Sequence, residues 1–252
     1  MFTSRPIASE NANVAPLSAV VNTKMESFDA AGRYSFALLS AVDPTIVLIA
    51  VGAHEYEAPT WNDSLLEIAG QAIDYLSVHH YTPGELPKGY EPTAEELYPI
   101  VVAGPERVEE LLVEAEETIA RHGLTGRVHL ALDEWNVWVH AHYECAMEEA
   151  FLLRDGLYAA SIFNVLYRQC RHVRIANLAQ LVNVLQAPIL TEGEKMLLTP
   201  TYHVFSMFKV HQDAELLPVE LENRDYRLGD DAVPQLSASA SMDSCGRMHL
   251  SL

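Results

Sequence analysis

Four short runs rich in apolar and β-branched residues, each ending in polar residues and separated by amphipathic stretches, constrain this chain more than any other feature. They fall at 45–51 (TIVLIAV), 73–78 (IDYLSV), 128–132 (VHLAL) and 173–178 (VRIANL). Near-continuous apolar runs suit strands covered on both faces, as in parallel sheets whose crossovers are helices. The stretches around them show helical spacing: 25–39, with Met25, Phe28, Tyr34, Ala37 and Leu38 in register, then 64–72, 93–121 and 148–171. Asp43-Pro44 stops the first, because a residue before proline is pushed out of the helical region. Gly123 is a good stop for the third. This βαβα order predicts an α/β fold on a parallel sheet.

The ends of the chain read differently. Residues 1–24, rich in Ala, Ser, Asn and Pro, read as an irregular segment, and 25–200 as the α/β part. Residues 201–252 read as the start of a β-rich domain: 202–210 fits helix or strand equally, and 237–252 alternates small and apolar residues around Gly246. A closed (β/α)₈ barrel alone takes about 250 residues, so 252 residues cannot hold a full barrel and a second domain.

Composition narrows the function. With 16 Lys and Arg against 35 Asp and Glu, the formal net charge is −19. Such a surface repels phosphate backbones and anionic lipid heads, so neither nucleic acid nor a membrane surface is expected as a partner. No apolar run approaches the ~20 residues of a membrane-spanning helix, and the N-terminus has no signal-like pattern of basic start and apolar core. Cys145, Cys170 and Cys245 are far apart and odd in number, as expected of reduced thiols in a cytoplasmic protein.

Polar residues cluster where the runs end: SVHHY at 77–81, DEWNVW at 133–138 and NLAQ at 177–180. In α/β barrels the C-terminal ends of the strands carry catalytic groups, because the loops there converge. A carboxylate beside Trp135 and Trp138 suits a sugar, whose C–H faces stack on aromatic rings. Spacing alone leaves blander readings open. Glu134 can be a helix cap or an ion-pair member, His79 or His80 a satisfied core histidine, and Gln180 a partner of backbone. His140, His142 and Glu144 lie close in sequence, but this spacing is weak for a metal site, and no metal or cofactor is expected.

The strings YLSVHHY, LALDEWNVW, RIANLAQLVNVLQAPILT and MLLTPTYHVFSMFKVHQ resemble glycoside hydrolase family 51, the α-L-arabinofuranosidases, from about Phe28 to the C-terminus. The resemblance implies the second half of a (β/α)₈ TIM barrel, strands five to eight, followed by a truncated C-terminal β-sandwich. It implies a retaining hydrolase that removes terminal α-L-arabinofuranosyl groups from arabinan- or arabinoxylan-type oligosaccharides. Carried over by position, Glu134 matches the nucleophile, Tyr81 the tyrosine that hydrogen-bonds to it, Trp138 a sugar-lining tryptophan and Gln180 a glutamine contacting arabinose. His79 matches a histidine of support or contact. Retaining enzymes need a second carboxylate as acid and base, about 5–5.5 Å from the nucleophile. The family's acid/base glutamate lies in a Gly-Asn-Glu string after the fourth strand; no such string occurs here, and Glu10 has the wrong neighbours. A catalytically inert chain that at most binds sugar or a partner is therefore the alternative reading. Half a barrel leaves strand edges unpaired, so self-association is expected.

Overall fold

The computed structural model describes residues 19–21, 41–53, 60–84, 86, 90, 92–139, 150–228 and 231–252. A five-stranded sheet runs in chain order: β1 (Ala19–Val21), β2 (Leu48–Ala50), β3 (Tyr75–Thr82), β4 (His129–Val137) and β5 (Val173–Leu178). β1 pairs parallel with β2, and β2 parallel with β3. Backbone bonds ascend together along the other pairs, from His129 to Asp74 and from Trp138 to Thr82, then from Leu130 to His172 and from Ala179 to Trp135. Those pairs are therefore parallel as well, and the α/β reading with a partial barrel followed by β-structure holds.

Four sequence expectations need correction. Residues 19–21, expected within an irregular N-terminal segment, form β1, so the sheet has five strands rather than four. Three residues are too few to show a period, and pairing with β2 defines the strand. The strand expected at 128–132 continues through the polar DEWNV to Val137, because backbone pairing on both sides carries it on. The strand expected at 73–78 is shifted to 75–82 for the same reason. The expected helix at 148–171 spans Leu153–Arg168. The expected helix at 25–39 lies outside the described residues.

The helices are α1 (Trp61–Ala69), α2 (Ala94–Arg121), α3 (Leu153–Arg168) and α4 (Pro200–Phe208). Thr93 and Glu96 start α2 with a reciprocal capping box: Glu96 Oε2 accepts from the Thr93 N–H at 2.8 Å, and Thr93 Oγ1 from the Glu96 N–H at 3.3 Å. Gly123, at φ +67°, ends it in a left-handed conformation. α3 starts where Asp155 Oδ2 accepts the Leu152 N–H at 2.8 Å. α4 resolves the open choice at 202–210 in favour of helix, with Pro200 in its first turn.

Two compact units interleave along the chain. The first comprises 1–79, 110–133 and 171–176, and its core is Leu48, Leu65, Ile73, Leu76, Leu112 and Leu130. The second comprises 80–109, 134–170 and 177–252. Its core is aromatic: Trp135 is buried, lies parallel to Phe205 at 6.5 Å and meets Phe163 edge-on at 6.4 Å. The second unit also carries the hairpin of β6 (Ile189–Glu192) and β7 (Lys195–Leu198). Its remaining strands are β8 (Glu215–Leu217), β9 (Asp225–Leu228), β10 (Asp231–Pro234), β11 (Ser239–Met242) and β12 (Met248–Ser251). β9 pairs with β10, and the other three form a sheet in the order β12-β11-β8.

Candidate active site

The polar strings gather at the C-terminal ends of β3, β4 and β5. Tyr81 is the penultimate residue of β3, Glu134 lies in the last half of β4, Trp138 directly follows β4, and Gln180 follows β5. Parallel pairing puts these strand ends side by side.

Within the second unit, the Tyr81 hydroxyl donates a hydrogen bond to the Glu134 carboxylate. The Trp138 ring meets Tyr81 edge-on, with centroids 5.2 Å apart, so it fixes the phenol from the side. The Trp138 N–H donates to the Thr82 carbonyl at 2.7 Å, tying the two strand ends together beside that contact. Burial, and then the neighbouring Glu134 carboxylate, push the Tyr81 pKa well above the ordinary tyrosine value. The hydroxyl therefore stays protonated and remains a donor across the physiological range.

Two positions back, the first unit carries a second polar group. Asp133 Oδ1 accepts from the Ser77 hydroxyl at 2.7 Å and stands 3.1 Å from His79 Nε2. Ser77, His79 and Tyr81 alternate along β3 and so share one face. Asp133 and Glu134 are both half-buried, between two buried triplets of β4. Trp135 is turned to the helical aromatic core, which leaves Glu134 on the opposite face.

Gln180 is anchored through its neighbour. The side-chain amide of the buried Asn136 donates to the Ala179 carbonyl, and the Ala179 N–H donates to the Trp135 carbonyl at 3.2 Å. The Gln180 side chain is exposed and makes no hydrogen bond among the described residues. Thus Tyr81, Glu134 and Trp138 form one cluster, His79 is tied to Asp133, and Gln180 is placed by backbone. Sequence reading did not assign Ser77, Asp133 or Asn136 to the site, because their contacts depend on register between strands. The one available signal was the run of four polar or aromatic residues, DEWN, inside a strand.

Among the described residues no group of three or more His, Cys, Asp or Glu is placed to hold a metal ion. His140, His142 and Glu144 lie outside the described residues, as does Glu10. No helix among the described residues is long and apolar enough to cross a membrane.

Comparison with known proteins points one way. Residues 133–247 match the family model described as the alpha-L-arabinofuranosidase C-terminal domain. An intracellular exo-alpha-L-arabinofuranosidase of Bacteroides ovatus is 33% identical over 232 residues, covering 87% of this chain and 44% of that protein. The GH51 arabinofuranosidase of Xanthomonas axonopodis pv. citri superposes with a TM-score of 0.74 at 31% identity, over 86% of this chain and 47% of the other. The alpha-L-arabinofuranosidase of Thermotoga maritima, solved as an arabinose complex, gives 0.73 at 28% identity, over 92% of this chain and 50% of the other. The chain spans about half the length of these relatives. With matching strings, a matching sheet and a matched C-terminal region, the chain is similar, over about half of their length, to the family 51 glycoside hydrolases named α-L-arabinofuranosidases.

Proposed function

We propose that this chain carries the nucleophile half of a retaining exo-acting α-L-arabinofuranosidase site. Its substrate is a terminal α-L-arabinofuranosyl group on an arabinan- or arabinoxylan-type oligosaccharide, and its setting is the cytoplasm. Several relatives are named as intracellular exo-enzymes for α-(1→5) linkages. The observation that carries the proposal is the Tyr81–Glu134 hydrogen bond braced by Trp138. A nucleophilic carboxylate needs one oxygen held and the other aimed at the anomeric carbon. Tyr81 holds it without competing for protons, since its own pKa is raised. Trp138 offers an aromatic wall to the sugar ring, and Gln180 is an exposed amide at the end of the neighbouring strand. His79, paired with Asp133 at 3.1 Å, keeps the supporting role that its match to the family string implies.

In this reading Glu134 attacks the anomeric carbon as the glycosidic bond breaks, forming a glycosyl ester and releasing the leaving group. Water then cleaves the ester with overall retention. Both steps draw on a second carboxylate as acid and base. The absence of a Gly-Asn-Glu string supports the second reading, a chain that does not turn over natural substrate alone. Glu10 does not repair this by position: it precedes β1, whereas the family's glutamate follows the fourth barrel strand.

The two readings separate on leaving groups. A nitrophenyl arabinofuranoside needs little protonation of its leaving oxygen, whereas a natural linkage needs it badly, and such assistance is worth about 10²–10⁴-fold. The expected result is slow reaction of the activated substrate only, stalling as the glycosyl-enzyme and relieved by azide, which needs no general base. Brisk, azide-independent cleavage of an arabino-oligosaccharide would instead show that another carboxylate completes the site.

A further inference from the structure

We infer that Asn136 is a positioning residue of the sugar site, a buried amide that holds Trp138 and Gln180 at a set spacing. This rests on the reading that Trp138 and Gln180 face the arabinofuranosyl ring, and it adds a residue to which neither spacing nor resemblance gave a role. All the residues concerned belong to the second unit.

Asn136 is the penultimate residue of β4 and is 2% exposed. An amide buried this deeply needs a partner for its donor and for its acceptor, and both partners are backbone. Its Oδ1 accepts the Val137 N–H at 2.9 Å. Its Nδ2 donates to the Ala179 carbonyl, on the chain leaving β5. The partners fix which way round the amide sits, since an N–H needs an oxygen and a carbonyl needs a donor.

These two backbone groups stand next to the two sugar-facing residues. The Ala179 carbonyl belongs to the peptide that joins Ala179 to Gln180, so the amide holds Gln180 through its own peptide plane. β5 ends at Leu178, and the Ala179 N–H bond to the Trp135 carbonyl, at 3.2 Å, is the last backbone tie to β4 before Gln180. At the other end, Val137 immediately precedes Trp138, whose own N–H is held by the Thr82 carbonyl at 2.7 Å. One planar group therefore links the end of β4, which carries the aromatic wall, to the peptide that carries the Gln180 amide. Recognition of a ring between an aromatic face and a polar group depends on that spacing. The residue type follows from the task. A leucine fills the space but strands the carbonyl and the N–H, and an aspartate accepts from Val137 but turns an oxygen on the Ala179 carbonyl.

Titration of the full chain with methyl α-L-arabinofuranoside, followed by NMR, tests this without requiring turnover. The sugar is expected to shift the Trp138 indole and Gln180 side-chain amide signals. Asn136→Ala and Gln180→Ala are each expected to weaken binding about three- to tenfold. A residue that acts through Gln180 adds little once Gln180 is gone, so the double variant should bind within about twofold of Gln180→Ala. A merely structural role would instead multiply the two losses. Asn136→Asp keeps the size and the acceptor but loses the donor, and carries the cycle should Asn136→Ala unfold. The unchanged chain supplies a further check: the Gln180 backbone should be as rigid as β4, with an order parameter of about 0.85. Losses that multiply, binding unaffected by Asn136→Ala, no shift at Gln180, or an order parameter below about 0.6 there would each overturn the inference. A glycosyl-enzyme on Glu134 alongside multiplying losses would overturn this inference and leave the nucleophile standing. A closed cycle in a chain that forms no glycosyl-enzyme would do the reverse.

Discussion

Replacing Tyr81 by Phe removes one oxygen and leaves the ring. The ring is what Trp138 packs against at 5.2 Å, so that contact and the end of β3 survive. The loss is the hydrogen bond to the Glu134 carboxylate. A bond to a charged acceptor contributes about 1.5–3 kcal/mol, and freeing the carboxylate also lets it rotate away from its attacking geometry. If that whole contribution is expressed in the attack step, the rate of glycosyl-enzyme formation falls about 10- to 150-fold. Thermal stability should change little, because Tyr81 is only half-buried and its ring remains. The assay is single-turnover release of nitrophenol from an activated arabinofuranoside, which reports attack without requiring later hydrolysis. An unchanged rate in Tyr81→Phe, with Glu134→Gln inactive, would refute the claim that this hydrogen bond holds the nucleophile.

Other outcomes follow from the same geometry. Asp155 pairs with the Arg154 guanidinium at 3.1 Å, both side chains almost fully buried, and also accepts the Leu152 N–H. Asp155→Ala should therefore destabilise the chain by about 3–5 kcal/mol in urea unfolding, because it strands a buried charge. A Cβ on Gly104 would stand 2.3 Å from Thr82 Oγ1, so Gly104→Ala should cost about 1–3 kcal/mol and slow the activated substrate by moving the residue beside Tyr81. Burial depresses the pKa of His211, with the nearby His249 adding to the shift, so the neutral form is favoured on folding. That stability is present above the unfolded value of about 6.5 and is lost as pH falls through the folded one. Urea unfolding between pH 5 and 7 should show a slope that His211→Gln reduces.

The fold was legible where side chains and backbone agree. Residues 173–178 are a strand by pattern and in the structure, and α2 departs from its expected start by one residue, because Thr93 and Glu96 announce the cap. It was not legible where pairing overrides composition. Ala19–Val21 is a strand only because β2 lies beside it, and DEWNV stays extended despite its polarity because β3 and β5 supply partners. The candidate site divides in the same way. Glu134, Tyr81 and Trp138 stand out as polar and aromatic residues placed where apolar runs end, and their resemblance to family 51 strings implies the roles proposed for them. Asn136 and Ser77 act through contacts 43 and 56 residues away in sequence, which no local pattern reveals.

The central claim is that Glu134 forms the bond to the sugar. Mass spectrometry of the chain quenched after exposure to an activated arabinofuranoside, followed by peptide mapping, tests it most directly. The account predicts one added dehydrated pentose, located on Glu134, accumulating without azide and discharged by it, and absent from Glu134→Gln. An adduct on a different carboxylate, or turnover that persists in Glu134→Gln, would contradict it.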